Sequence, residues 1–305
     1  MVKNKPIVTV GIPVYNGEKI IGERIKQVLN QTFQNFIIVI SDNNSNDNTS
    51  QICKEAADKD ERIIYFKQEN NMGPNWNTNF VLDKADTKYF VWAFADDIWE
   101  NNFLEENIDV LDNNFKIVGS VGEVKLFNRI KNKENGKIEI KIIENSKKFQ
   151  YVHPVSGNLE KKIKFYLDYS MSSIIYSVFK TNKLKQANVF EEFMNPVRWR
   201  GDFACVLSII KQGDLYVTTN NIVYKEVNEK SSSLIQYLRK SGYSFFNIIC
   251  FNFPFTIWCA KNLGTKIFLK NLTYFVKLNI ISSGGLIVEL FRMCKRVLCG
   301  QSKYW

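Results

Sequence analysis

Mainly apolar runs alternate with segments of helical periodicity over the first hundred residues of this 305-residue chain. The runs are short, and they are predicted to form buried strands at 8–14, 36–40, 63–66 and 89–95. Apolar residues between them recur at helical spacing, which predicts helices at 21–29, from Thr49 onward and at 74–85. Strands that alternate with helices build βαβ units, so the pattern predicts an α/β fold with a mainly parallel central sheet flanked by helices.

The pattern is less regular from about residue 115 to residue 230. It predicts strands at 118–127 and 172–179, a charged hairpin or loop at 128–148 and a short helix at 203–211. From Gly242 onward the chain is rich in phenylalanine. The C-terminal segment is therefore expected to differ in character from the sheet domain that precedes it.

Positive charge is concentrated in the last part of the chain. The formal net charge is +10. Residues 239–305 hold ten basic residues and one acidic residue, whereas the first 238 residues hold 31 basic and 30 acidic residues. A diffuse nucleic-acid-binding surface would spread its charge over the folded domain, so no nucleic-acid partner is predicted.

Several common enzyme classes find no support in the sequence. The single histidine, His153, disfavours a histidine-dependent hydrolytic triad or a two-histidine zinc site. No dinucleotide motif follows the first strand and no P-loop motif occurs, so a bound phosphate would depend on a metal ion and side chains. The six cysteines show no C-x-x-C spacing and no signal-peptide pattern opens the chain, which predicts reduced thiols and a cytoplasmic protein.

Polar residues follow the predicted strands at the ends where ligands bind in parallel sheets. These residues are Tyr15, Asn16, Asp42, Asn44, Asp96 and Asp97. The adjacent carboxylates of Asp96 and Asp97 suit a hard divalent cation, but they could instead form a solvated strand end or cap a helix that begins near Trp99. The Asp42–Asp47 cluster could bind a nucleobase or ribose, or it could stabilise a turn.

Four blocks occur in order along the first hundred residues, and they are Ile12–Glu18, Asp42–Thr49, Asn71–Gly73 with Asn79 and Ala85, and Ala95–Asp97. They resemble, in turn, the motifs I/V-P-x-Y-N-x-E, D-D-G-S-x-D-x-T, N-x-G…N…A and the metal-binding acidic motif of the inverting glycosyltransferases of family 2. The resemblance covers about residues 6–230 and is less specific in its second half. It implies the GT-A fold and a nucleoside-diphosphate sugar donor.

The resemblance also assigns roles to individual residues. The implied binding residues are Pro13 and Tyr15 in the base pocket with Glu18 nearby, Asp42 on the base, Asp96 on the ribose and in the metal shell, and Asp97 on Mg²⁺ or Mn²⁺ at the diphosphate. The chain departs from the family at Asn43–Asn44, which replace Asp-Gly, at Thr78 in place of a frequent arginine, and at Phe94 in place of the first aspartate of a longer acidic motif. These changes leave the metal role of Asp97 intact and the identity of the nucleotide open.

Two residues of the second half complete the implied site. The family places an acidic general base at the start of a helix beyond the metal motif, and the block 198–207 makes Asp202 the candidate. Asp202 could also be an ordinary N-cap residue, and the two roles are compatible. Lys225, or Lys230 nearby, could neutralise the charge of the leaving group, or it could lie in a solvated loop.

Residues 240–305 are expected to dock on a membrane surface. The apolar run at 243–260 is short for a span of about 20 residues, and it contains Asn247, Asn252 and Pro254. Apolar residues then alternate with basic residues at 266–281 and 286–298, as in helices that lie on anionic lipid. The alternatives are a helical cap on the catalytic domain, a contact between copies of the chain, and one transmembrane helix.

These observations together predict the domains and the function. Residues 1–235 are predicted to form a GT-A domain, with a nucleotide-binding half at 1–97 and an acceptor half at 98–235, and residues 236–305 to form the membrane-associated segment. The predicted activity is metal-dependent inverting transfer from a nucleoside-diphosphate sugar, taken as a UDP-sugar, to a glycan or lipid-linked glycan in surface polysaccharide or glycoconjugate assembly. The enzyme would be cytoplasmic and peripheral on the inner face of the cell membrane. A nucleotidyltransferase and a non-catalytic membrane scaffold are the alternatives.

Overall fold

The structure is a computed structural model, and it describes residues 5–131, 138–143, 152–169, 172–187, 200–226, 251–281 and 284. The chain divides into two compact units. The first unit takes residues 1–194 and 205–229, and the second takes residues 195–204 and 230–305. The domain boundary predicted at 235 stays a prediction.

The first half of the sheet is parallel, as the alternating pattern predicts. Its strands lie in the order β3-β2-β1-β4, and they are β1 (Val8–Val14), β2 (Phe36–Asp42), β3 (Ile63–Lys67) and β4 (Tyr89–Trp92). The connecting helices are α1 (Ile21–Leu29), α2 (Thr49–Lys59) and α3 (Pro74–Asp83). Val14 pairs with Asp42, so the turns after β1 and β2 begin at the same edge of the sheet.

The chain from residue 98 to residue 226 extends this sheet. Its elements are β5 (Ile98–Trp99), α4 (Phe103–Asn113), β6 (Ile117–Lys131), β7 (Ile138–Ile142), α5 (Leu159–Tyr169), β8 (Val178–Lys180), α6 (Thr181–Ala187), α7 (Gly201–Ile210) and β9 (Asp214–Glu226). The strand order continues from β4 as β8-β6-β9-β5, with β7 paired to β6. Only the β6–β9 pair is parallel among the described pairs of this part. The α/β class predicted from the sequence is confirmed.

Close packing between layers explains one glycine of the first strand. β1 is buried along its length, and α3 packs against it. A Cβ atom at Gly11 would lie 2.8 Å from the side chains of both Val81 on α3 and Phe90 on β4. Gly11 therefore allows α3 and β4 to approach β1 closely.

The predicted boundaries around the acidic motif need correction. β4 ends at Trp92 rather than at residue 95, because the chain turns there and the Asp97 N–H donates to the Phe94 carbonyl oxygen at 3.3 Å. No helix begins near Trp99, which belongs to the short strand β5 paired with β9. The helix that follows, α4, begins at Phe103.

The predictions for the mixed region are partly confirmed. The charged segment at 128–148 includes a hairpin, because β7 pairs antiparallel with β6, and the helix predicted at 203–211 is α7. The strand predicted at 172–179 is wrong over most of its length, since a 3₁₀ turn at Ser172–Tyr176 precedes β8. Buried Ile174 and Tyr176 give the turn its apolar character, so the pattern resembles that of a strand.

Three helices form the described part of the second unit beyond residue 250. They are α8 (Phe253–Asn262), α9 (Thr265–Lys270) and α10 at 272–281. Among the helices described here, none is long and apolar enough to span a bilayer. Residues 243–250 and 286–298 of the predicted amphipathic segment lie outside the described residues.

Candidate functional site

The turns after β1 and β2 are joined by hydrogen bonds in both directions. Backbone N–H groups of the first turn donate to side chains of the second, and these bonds are Asn16 N to Ser45 Oγ at 2.8 Å, Gly17 N to Thr49 Oγ1 at 2.7 Å and Glu18 N to Asp47 Oδ2 at 3.2 Å. The reverse bonds are Asn46 N to Asn16 Oδ1 at 2.9 Å and Asn48 N to Glu18 Oε2 at 3.2 Å. The first two sequence blocks therefore form one connected rim.

Asparagine occupies two positions of this rim at which the backbone turns sharply. Asn16 and Asn44 have φ angles of 51° and 63°, in the left-handed region that asparagine adopts more readily than most side chains. Asn44 can therefore stand where the family motif has glycine. Gly17 is required for space, since a Cβ atom there would lie 2.6 Å from the side chain of Val14.

Asp42 anchors the second turn from the inside. Its carboxylate is fully buried, Oδ1 accepts the Ser45 N–H at 2.9 Å, and Oδ2 accepts the hydroxyls of Ser50 and Tyr65. The structure does not place Asp42 in the lining of the adjacent pocket. Its implied contact with a nucleobase stays a prediction, while its hydrogen bonds give it a structural role in the turn.

Asn43 fastens the third sequence block to the second. Its amide nitrogen donates to Asn71 Oδ1 at 2.9 Å and to the Gly73 carbonyl oxygen at 3.1 Å, and its Oδ1 accepts the Met72 N–H at 3.0 Å. An aspartate could not donate the first two bonds. Asparagine in place of the family's aspartate thus has a local structural reason.

An open pocket of about 830 Å³ lies at the ends of these strands. Four of the residues predicted to bind the donor line it, and they are Pro13, Tyr15, Glu18 and Asp96. Arg129 and Glu226 also line the pocket, and the sequence reasoning missed both. Their side chains form an ion pair, and Arg129 Nη1 donates to the Asp96 carbonyl oxygen at 3.4 Å. They meet because β6 pairs with β9, a register that no local sequence pattern reveals.

The acidic motif places Asp96 in the pocket lining and Asp97 outside it, among buried residues. Asp96 is half-buried in the pocket lining, whereas Asp97 is 3% exposed and its Oδ2 has no hydrogen-bond partner within the described part of the chain. Burial and the neighbouring Asp96 carboxylate raise the pKa of Asp97 to about 8, although Arg24 and Lys225 oppose the shift. A cation bound beside the pair would therefore favour the ionised form of Asp97.

Arg24 is a buried cation close to this pair. It is 1% exposed, its guanidinium lies 4.0 Å from the centre of the Trp99 ring, and Nη1 donates to Gln27 Oε1 at 3.1 Å. Burial lowers its pKa to about 10, and the charges of Asp97 and Asp96 act in the opposite direction. The sequence reasoning missed Arg24, although its position indicates burial. Arg24 lies on the apolar face of α1 with buried Ile21 and Val28.

Lys225 lies near the acidic motif, but it is not a residue of the pocket lining. Its charge lowers the pKa of Asp97, and its Nζ is 5.2 Å from the centre of the Tyr176 ring. Lys230, the other lysine considered for this role, lies outside the described residues.

The residues present suit a divalent cation that takes some of its ligands from the enzyme's substrate. No group of three or more histidine, cysteine or acidic side chains arranged for a metal occurs in the described ranges. Asp96 and Asp97 offer carboxylate oxygens, one of them buried without a partner, and Mg²⁺ commonly takes one or two carboxylates plus phosphate oxygens and water. The donor set therefore suits a cation that binds together with a diphosphate.

Asp202, the predicted base, lies in the first turn of α7 and groups with the second unit. Its carboxylate accepts the Phe203 N–H at 3.0 Å. The residue before the helix, Arg200, has a φ of 66°, and its Nε donates to Asn252 Oδ1 at 2.8 Å. The N-terminal position on the helix matches the sequence prediction, and the catalytic role stays a prediction.

A parallel βαβ half-sheet with a polar pocket and paired aspartates at its strand ends is the architecture of the GT-A glycosyltransferases. The sequence model of glycosyl transferase family 2 matches residues 9–168, and the chain belongs to this family. The family and the fold suggested by the four sequence blocks are confirmed.

Curated relatives agree with this assignment. An uncharacterized glycosyltransferase of Haemophilus influenzae is 30% identical over 155 residues, which are 51% of this chain and 59% of the relative. The GalNAc(5)-diNAcBac-PP-undecaprenol beta-1,3-glucosyltransferase of Campylobacter jejuni is 34% identical over 93 residues, which are 30% of either protein. The matches thus cover less than two thirds of the length of these relatives.

Solved structures share the fold at low sequence identity. S. aureus TarS 1-349 in complex with UDP-GlcNAc has a TM-score of 0.54 and 19% identity, over 73% of this chain and 59% of that 1-349 chain. The mannosyltransferase PcManGT from Pyrobaculum calidifontis, in complex with GDP-Man and Mn²⁺, has a TM-score of 0.50 and 15% identity, over 78% of this chain and 65% of that protein.

Proposed function

We propose that the protein is a metal-dependent inverting glycosyltransferase that uses a nucleoside-diphosphate sugar. One observation carries the proposal: the Asp96–Asp97 pair, with a buried carboxylate oxygen that lacks a partner, adjoins a pocket built by the family's nucleotide-binding motifs. Membership of the family favours sugar transfer over nucleotidyl transfer.

The donor would lie in the pocket with its base near Pro13 and Tyr15. We take the donor as a UDP-sugar, in keeping with the UDP-GlcNAc that TarS binds, whereas PcManGT binds GDP-Man. Tyr15 is 46% exposed and offers a ring face on which a base can stack. Arg129 at the pocket wall, where it is paired with Glu226, would offer N–H donors to the diphosphate.

Asp97, with Asp96, would hold Mg²⁺ or Mn²⁺, and PcManGT is a fold relative with bound Mn²⁺. The metal would supply charge neutralisation for the departing diphosphate. Lys225 would add a further positive charge near the acidic pair. Asp202 would accept the proton of the acceptor hydroxyl as that oxygen attacks the anomeric carbon, and the nucleoside diphosphate would leave from the opposite face.

The acceptor would be a glycan or a lipid-linked glycan in surface polysaccharide or glycoconjugate assembly. The name of the Campylobacter relative specifies a lipid-linked glycan as acceptor, which supports this class of acceptor. An acceptor on a lipid carrier would place the enzyme in the cytoplasm, peripheral on the inner face of the cell membrane.

The test is turnover with a panel of nucleotide sugars and glycan acceptors, with Mn²⁺ or with excess EDTA. We expect release of nucleoside diphosphate, inversion at the anomeric carbon by NMR, and loss of both with EDTA or in Asp97→Asn. Asp58→Asn, which changes an exposed acid on α2, is the matched control. Full activity in EDTA would overturn the metal role. Retention of the anomeric configuration would overturn the inverting mechanism. Release of pyrophosphate would favour the nucleotidyltransferase. Inactivity on every donor would favour the scaffold.

A further inference from the structure

Two helices of the second unit direct apolar side chains outward. Phe253 and Ile257 lie one turn apart on α8, and Leu272, Val276 and Ile280 repeat at every fourth position of α10. These five side chains, termed the apolar face, are 41–66% exposed. Other positions of the same helices are already buried, and they include Phe255, Trp258 and Phe275. The apolar face is therefore additional to the packed side of each helix.

The two halves of the apolar face border one seam between the helices. Asn279 Nδ2 on α10 donates to Thr256 Oγ1 on α8 at 2.8 Å, and both residues are half-exposed. Thr256 follows the exposed Phe253 by three positions, and Asn279 follows the exposed Val276 by three. On each helix the bonded residue and an exposed apolar residue therefore share one side. The side chains of the apolar face thus lie on both sides of a contact that is itself near the surface.

The charged residues of this segment are all positive. Residues 251–281 contain Lys261, Lys266, Lys270 and Lys277 and no acidic residue, and all four lysines are exposed. Exposed apolar side chains in a segment whose charged residues are all lysines complement a surface of anionic headgroups above acyl chains. A second copy of the chain would bring like charges together, which disfavours self-association through the same face.

We infer that the apolar face docks on an anionic lipid surface, with α8 and α10 in the plane of the interface. α8 has ten residues, so it is about 15 Å long, roughly half of a hydrocarbon core of about 30 Å. Helices in an interface bury their apolar side about 5–10 Å deep. This inference deepens the proposed function, because it names the residues that would bring the enzyme to a lipid-linked acceptor.

Flotation of the full-length chain with vesicles tests the inference without any need for turnover. The vesicles contain phosphatidylcholine alone or with phosphatidylglycerol. The variants are Val276→Ser with Ile280→Ser, and Lys266→Gln with Lys277→Gln. The control is Phe115→Ser, because Phe115 is an apolar residue of the first unit that is 85% exposed. We expect binding only to anionic vesicles, a fall of about fivefold or more in both double variants, and no change in the control.

Circular dichroism and donor hydrolysis confirm that the double variants are folded, so that lost flotation reports lost docking. Absence of flotation by the wild-type chain, or wild-type flotation by both double variants, would overturn the inference. A dimer that Val276→Ser with Ile280→Ser converts to a monomer would assign the face to a second copy instead. Flotation by a chain that releases no nucleoside diphosphate with any donor and acceptor of the panel would overturn the proposed function and leave the docking intact.

Discussion

Among the described acidic residues, Asp97 has the surroundings that are least favourable to a negative charge. Burial and Asp96 raise its pKa from the ordinary 3.8 to about 8. The folded chain therefore keeps a proton between about pH 4 and pH 8 that the unfolded chain has released. The stability that this proton contributes is complete below the lower value and is lost as the pH rises through the higher one.

We predict that Asp97→Asn removes this loss of stability in metal-free buffer. The amide cannot ionise, so the free energy of unfolding should fall less between about pH 5 and pH 8 in the variant than in the wild type. Urea denaturation in EDTA at both pH values measures the difference, with Asp58→Asn as the control. Equal falls in the wild type and Asp97→Asn would show that the Asp97 carboxyl ionises normally in the folded chain.

For Asp202, loss of the carboxylate should affect turnover and spare donor binding. We predict that Asp202→Asn lowers kcat at least about 10²-fold, because a positioned general base contributes about 10²–10⁴. Asparagine keeps an oxygen that can accept the Phe203 N–H, so the start of α7 should be retained. Steady-state kinetics and a nucleotide-binding measurement separate the two effects, and a matched loss of affinity would indicate a structural role.

At the scale of elements, the rim formed by the first two turns depends on Thr49 at the start of α2. Its buried hydroxyl accepts the Gly17 N–H at 2.7 Å and donates to Asp47 Oδ1. We predict that Thr49→Val lowers the free energy of unfolding by about 1–3 kcal/mol, since the Gly17 N–H loses its partner. Thr78→Val is the control, because the Thr78 hydroxyl bonds to Pro74 O in an exposed part of α3. Urea denaturation compares the two, and equal small effects would contradict the role of the rim.

The elements read correctly from the sequence are those whose pattern is local. β1 to β4 and α1 to α3 were predictable because each strand is a compact apolar run between turn residues. β5 was missed because a two-residue strand exists only through its pairing with β9. The ion pair of Arg129 and Glu226 was missed for a related reason, since it depends on the register between segments some hundred residues apart.

At the scale of the whole molecule, every residue that lines the pocket belongs to the first unit. Asp97, Arg24 and Lys225 belong to it as well. The sequence blocks anticipated most of the pocket lining because they lie in the turns themselves. The proposed acceptor side was harder to predict from the sequence. Asp202 and the basic segment group with the second unit, and no motif specifies where they lie.

The final prediction concerns the stability of the full chain with its proposed ligands. Two carboxylates leave most positions of a divalent cation to phosphate oxygens and water, so Mn²⁺ and UDP should bind cooperatively. Bound ligand stabilises the folded chain by about 2.7 kcal/mol at a hundredfold excess over its Kd. We therefore expect the melting temperature to rise more with Mn²⁺ and UDP together than the sum of the separate shifts. Scanning fluorimetry of the wild type and Asp97→Asn measures this, and the variant should lose the cooperative part. Additive shifts in the wild type would mean that the acidic pair does not share a cation with the diphosphate.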